Sequence, residues 1–157
     1  CLEQTLESYE MCCLVETFPH RHESLDDYLK TLRCAFAYAK TVTLGPTNWP
    51  KTNKIMSRNR RIGCSMSGLA QFLSHRGLSE LKKWCDEGYA CVKSADSDMS
   101  RYFGINRSMK ATSIKPSGTV SLLAGATPGM HFPESRFYKR RVRMSRDSEL
   151  LAGLKEA

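Results

Sequence analysis

The hydrophobic period of this chain switches repeatedly between that of a strand and that of a helix, and this alternation limits the folds open to it. Residues 12–18 (CCLVETF) are short, apolar and partly β-branched, the mark of a strand. Leu25, Tyr28, Leu29, Leu32, Phe36 and Ala39 then recur at helical spacing. Ser24 stands ahead of them as an N-cap, with Asp27 in the capping-box position, and Gly45-Pro46 marks the stop. Residues 61–66 (RIGCSM) predict a second strand, followed by a helix closed at Gly77 and another over about 79–92. Residues 111–115 (ATSIK) are strand-like, a turn leads to an apolar run over 120–124, and 137–144 read as a last strand. Residues 46–60, 94–108 and 125–133 read as loops. Such an order predicts α/β architecture with mainly parallel strands. The few strands fall short of a closed barrel, so the sheet is either open and small or a piece of something larger.

A length of 157 residues, 41% of them hydrophobic, suits one globular core and excludes a disordered chain. No apolar run approaches the ~20 residues of a membrane span. The opening CLEQTLESYE is too polar for a signal or transit peptide. The seven cysteines (Cys1, Cys12, Cys13, Cys34, Cys64, Cys85 and Cys91) are odd in number and lack Cys-x-x-Cys spacing. Neither a disulfide framework nor a metal site is expected from them. Cys34, Cys64, Cys85 and Cys91 are expected as core filler in a reducing cytoplasm.

Three motifs carry chemistry. In Cys1-Leu2-Glu3 a thiol and a carboxylate two residues apart share a face if the segment is extended, which suits a nucleophile, hydrogen carrier or redox thiol; Cys12 follows. In Pro116-Ser117-Gly118-Thr119-Val120 a small-residue turn opens a helix, a place for phosphate or simply a capped turn. In Arg136–Arg146 (RFYKRRVRMSR) six of eleven residues are basic, with Phe137 and Tyr138 between them. With a net charge of +8, that run reads as a nucleic-acid surface, a solvated strand face, or a face toward a phosphate-bearing ligand.

Four stretches in order, CLEQTLESYEMCCLVETFP, AKTVTLGPTNWP, NRRIGCSMSGLAQFL and SIKPSGTVSLLAGATPGMHFPESRFYKRR, together resemble the catalytic part of a ribonucleotide reductase large chain. The resemblance is closest to the adenosylcobalamin-dependent (class II) ribonucleoside-triphosphate reductases. It implies that residues 1–157 are part of a ten-stranded α/β barrel with a finger loop carrying a thiyl cysteine. It implies thiyl-radical reduction of ribonucleotides to 2′-deoxyribonucleotides, with adenosylcobalamin as cofactor. Cys1 then matches the thiyl cysteine, Glu3 the glutamate that takes the 3′-hydroxyl proton, and Cys12 one member of the reducing cysteine pair. Cys13 has no assigned role. Pro116, Ser117, Gly118, Thr119 and Val120 match the segment gripping the substrate phosphates.

Implied partners are a ribonucleoside triphosphate, a deoxynucleotide effector, a thioredoxin-type reductant and the rest of the reductase chain, with no nucleic acid and no membrane. Leu2 stands where class II members usually carry Gly, though other classes carry Leu there. The Asn-Pro that precedes the thiyl cysteine, the partner of Cys12 and the C-terminal cysteines of the family are not in this sequence. The start at Cys1 is therefore expected to mark a fragment, inactive alone, cut at the catalytic thiol by a spliced element or a broken gene. The competing expectations are a basic nucleic-acid-binding module and an N-terminal-cysteine hydrolase.

Overall fold

The computed structural model describes residues 3–139, 141 and 143–156. Strand β1 (Cys13–Thr17) is followed by a single 3-10 turn at Pro19–Arg21 and then by α1 (Leu25–Val42). Ser24, extended at φ −134° and ψ 160°, accepts a hydrogen bond from the Asp27 N–H through its hydroxyl, as the capping pattern predicts. Asp26 and Asp27 in the first turn and Lys40 in the last complement the helix dipole. The buried stripe Tyr28, Leu32, Phe36 and Ala39 faces the core.

Helix α2 (Pro50–Asn59) corrects the expectation of a loop over 46–60. Pro50 sits in the first turn, where its missing N–H costs nothing. The Asn53 amide ties down the approach, accepting from the Thr47 N–H at 2.7 Å and returning a bond to the Thr47 carbonyl at 2.8 Å. The buried stripe here is Thr52, Met56 and Asn59. Two of those three are polar, so an apolar period does not show in the sequence.

Strand β2 (Ile62–Met66) pairs with β1 in parallel, with Cys13 beside Ile62, Val15 beside Cys64 and Thr17 beside Met66. Residues 110–115 lie along the other edge of β2. The Ile62 and Cys64 N–H groups donate to the Lys110 and Ala111 carbonyls, and the Ser113 N–H donates to the Cys64 carbonyl. Only one bridge, Cys64 with Thr112, is regular, so the expected strand at 111–115 is irregular.

Helix α3 (Leu69–Phe103) turns through Gly77, whose φ of 78° and ψ of 173° separate a short first arm from a long second one. The long arm continues well beyond Val92, correcting the expected loop over 94–108. Its buried stripe runs Trp84, Gly88, Val92, Ala95, Asp96 and Ser100. The last turns are recognised by small and polar residues rather than by large apolar ones. Asp96 is accommodated because the buried Lys40 ammonium donates to it at 2.8 Å and the Ser108 N–H donates to both its oxygens. After a one-turn α4 (Val120–Leu123) and an irregular stretch, α5 (Leu150–Glu156) ends the described chain. The strand expected at 137–144 is not formed among the described residues there.

The core lies between the sheet and the helices. Trp84 stacks on Tyr28, their ring centres 5.3 Å apart, and meets the edge of Phe72 at 4.9 Å. Ile62 and Cys64 reach it from β2 and Val15 from β1. Of the expected core cysteines, Cys64 is buried, Cys85 and Cys91 are half-buried and Cys34 is exposed. Cys34 thus departs from the expectation, because it falls outside the α1 stripe that faces the core. No helix of the described residues is long and apolar enough to cross a membrane.

Candidate active site

Side chains alternate across a strand, so each strand that gives Val15, Thr17, Ile62 and Cys64 to the core presents its other residues to the opposite face. Those are Leu14 and Glu16 from β1, paired with Gly63 and Ser65 from β2. Cys12 continues the alternation at the start of β1. This second face carries no helix among the described residues. It is crossed instead by the segment that leads into β1. The Gln4 amide donates to the Ile62 carbonyl at 3.0 Å, and the Ser113 hydroxyl donates to the Glu3 carbonyl at 2.9 Å. Gly63 makes the crossing possible. A Cβ there would stand 2.4 Å from Leu14 Cδ2 and 2.7 Å from the Gln4 amide nitrogen.

An ionic cluster holds the same segment at the start of β2. Glu10, its side chain fully buried, accepts from Arg61 Nε at 2.8 Å and from Asn59 Nδ2 at 2.9 Å. Burial alone would raise the Glu10 carboxyl, but donors from Arg61, the Glu7 N–H and Asn59 hold it below its ordinary value. Glu7 in turn takes Arg58 and Asn59.

Cys12 is half-buried beside this cluster. Burial raises its thiol above the ordinary value, and the negative charge of Glu3 raises it further. Cys13, one residue on, is also raised by burial. Cys1 and Leu2 lie outside the described residues. On the core side, burial pushes the Cys64 thiol up to about 12, so it stays neutral and packs.

Beyond the other end of the sheet, Pro116–Val120 forms a turn. Ser117 is buried with a left-handed φ of 52°, while Gly118 and Thr119 are exposed. The helix that follows has only four residues, so the turn itself, rather than a long helix dipole, supplies whatever polarity the place has. The basic run lies farther on. Arg136, Phe137 and Tyr138 are exposed, and a groove of about 930 Å³ runs past His131, Arg136, Lys139 and Gln71.

Of the sequence motifs, Cys12 thus stands at the start of β1 and the Pro116–Val120 turn lies beyond the strand ends, while the Glu3 carbonyl is held by Ser113 alongside the middle of β2. Arg61, Glu10, Gln4 and Glu16 were not singled out as functional residues. For Glu16 the signal was available in the alternation Cys12, Leu14, Glu16 within CCLVETF.

No protein-family model matches the chain. Over its whole length it is 64% identical to a "probable adenosylcobalamin-dependent ribonucleoside-triphosphate reductase" of Dictyostelium discoideum. It is 60% identical, again over its whole length, to an adenosylcobalamin-dependent ribonucleoside-triphosphate reductase of Euglena gracilis. The reductase of Lactobacillus leichmannii is 36% identical over 99% of the chain. The chain spans only 21%, 22% and 24% of those three proteins. A crystal structure of a B12-dependent (class II) ribonucleotide reductase superposes with a TM-score of 0.76 at 35% identity, over 83% of this chain and 22% of the other. None of these relatives supports a nucleic-acid-binding module or an N-terminal-cysteine hydrolase. The resemblance carried by the four sequence stretches is borne out, and in sequence and fold the chain matches one segment of the adenosylcobalamin-dependent (class II) ribonucleotide reductases.

Proposed function

We propose that this segment is part of an enzyme that reduces ribonucleotides, taken as ribonucleoside triphosphates, to 2′-deoxyribonucleotides by thiyl-radical chemistry. The observation that carries the reading is the placement of Cys12 at one end of the polar face and of the Pro116–Val120 turn beyond the other, with the Glu3 backbone held against the same sheet at Ser113. Four strand steps lead from Cys12 to Glu16, roughly 13 Å, a span that an extended nucleotide covers. Ribose at the thiol end and phosphates at the turn is the orientation this arrangement favours.

The chemistry of the residues fits a radical-generating cofactor. A half-buried thiol held neutral beside a carboxylate is a hydrogen donor rather than a ready thiolate nucleophile. Adenosylcobalamin, when bound, supplies the radical that Cys1 passes on; no residue of this segment is assigned to hold it. Cys1 takes the ribose 3′-hydrogen and later returns it. Glu3 accepts the 3′-hydroxyl proton as general base. Cys12, with a second cysteine elsewhere in the full protein, gives two electrons and becomes a disulfide while the 2′-hydroxyl leaves as water. The Glu7–Glu10–Arg61 cluster fixes the approach to Cys12. Pro116, Ser117, Gly118, Thr119 and Val120 hold the phosphates.

In this reading residues 1–157 are a wedge of a ten-stranded barrel. β1 is the edge strand only among the described residues, the helices lie outside, and the polar face is the lumen with Cys1 on the finger loop. The partners are the rest of the reductase chain, a deoxynucleotide effector and a thioredoxin-type reductant, in the cytoplasm. The test is Cys1→Ser in the full-length protein, assayed with a ribonucleoside triphosphate, adenosylcobalamin and a dithiol. Deoxynucleotide formation is expected to vanish while the triphosphate still binds. Full turnover by the variant overturns the assignment.

A further inference from the structure

Glu16 has no part in the chemistry above, yet it stands where the two ends of the 115–129 loop meet. Its Oε1 accepts from the Ser67 hydroxyl at 2.6 Å, with the Ser65 hydroxyl more distant at 3.5 Å. Its Oε2 is buried without a hydrogen-bond partner among the described residues. The Ser67 side chain is fully buried and accepts the Gly129 N–H at 3.0 Å; the Ser65 hydroxyl accepts the Lys115 N–H at 3.1 Å. Gly129, at φ 58°, closes the loop so tightly that a Cβ there would lie 2.7 Å from the Lys115 carbonyl oxygen and 3.1 Å from that of Pro116.

A hydroxyl has one proton to give. While Glu16 takes the Ser67 proton, the serine oxygen is turned to receive Gly129. Without that acceptor the hydroxyl rotates and the loop closure loses its orientation. The hydrogen bond to a carboxylate is of the stronger, charge-assisted kind. We propose that Glu16 is a positioning residue for the Pro116–Val120 turn, acting through Ser67 and Gly129 to set the affinity for a polyphosphate. This rests on the reading of that turn as the phosphate grip.

The test uses three variants of the full-length protein. Glu16→Leu removes the acceptor, Ser67→Ala removes the relay, and Glu16→Gln keeps an acceptor oxygen. Turnover is measured against ribonucleoside triphosphate concentration, and tripolyphosphate is used as a competing probe. Glu16→Leu and Ser67→Ala are expected to raise KM and the tripolyphosphate inhibition constant about tenfold, with kcat within about twofold, and Glu16→Gln to stay within about threefold of the parent. An unchanged KM in Ser67→Ala, a loss confined to kcat, or a Glu16→Gln variant as impaired as Glu16→Leu overturns the relay. Should Glu16→Leu fail to fold, Ser67→Ala and Glu16→Gln decide. Gly118→Val separates the two layers. If it leaves KM unchanged, the phosphate reading of the turn falls and the proposal with it. If it raises KM while Ser67→Ala does not, only the relay falls.

Discussion

The two faces of the β1–β2 sheet are built from the same ten strand residues and have opposite chemistry. On the helix side, Val15, Ile62 and Cys64 meet Tyr28, Phe36, Phe72 and Trp84 in an apolar core. The opposite face carries Glu16 and Ser65, with Cys12 at its edge, and is crossed by a polar segment tied through Gln4, Glu10 and Arg61. Burial therefore means different things on the two sides. For Cys64 it produces an inert packing thiol, and for Cys12 a neutral thiol beside a carboxylate. One residue of strand register decides which face of the sheet a cysteine occupies.

The largest effect that breaks this contrast is expected on the core side. Trp84→Ala removes a side chain only 2% exposed and should cost about 3–5 kcal/mol in urea unfolding of the full-length protein. A cost below about 1 kcal/mol would show that the helices do not depend on this face. Next comes Gly63→Ala on the polar face. The added methyl must displace Leu14 or the Gln4 amide, at about 1–3 kcal/mol, and should reduce turnover more than stability explains, by moving the Glu3–Gln4 segment. Activity equal to the parent would show that the crossing is incidental.

The smallest effect concerns pH. Alkylation requires the thiolate, and the Cys12 thiol is raised mainly by burial and then by Glu3. Its rate-against-pH curve should lie to the alkaline side of a free cysteine. Glu3→Gln should bring the curve part of the way back, increasing the rate at pH 8 about twofold. A curve that does not move would place Glu3 away from the thiol.

The fold was legible wherever apolar period writes it. β1, α1, β2 and the first turns of α3 stand close to their expected bounds, and the Ser24 cap is formed as the pattern predicts. It was illegible where polar residues form the buried stripe. Asn59 of α2 and Asp96 of α3 are buried because partners distant in sequence satisfy them, Glu7 and Glu10 for Asn59 and Lys40 for Asp96 across 56 positions. No local pattern carries that information. The candidate site was readable only as motifs, Cys1-Leu2-Glu3 with Cys12 and the Pro116–Val120 turn. What joins them, Glu10–Arg61 and Glu16–Ser67–Gly129, consists of contacts between segments some 50 to 60 residues apart, which appear only when the chain is folded.

The contrast between the faces is tested most directly by locating the oxidised thiol after one turnover. The fully reduced full-length protein is mixed with a ribonucleoside triphosphate and adenosylcobalamin without external reductant, quenched in acid, alkylated and peptide-mapped. Cys12, on the polar face, should appear in a disulfide in step with deoxynucleotide formed, while its neighbour Cys13 is recovered alkylated. Recovery of alkylated Cys12 alongside product, or oxidation of Cys13 in its place, would contradict the assignment of the polar face as the reacting one.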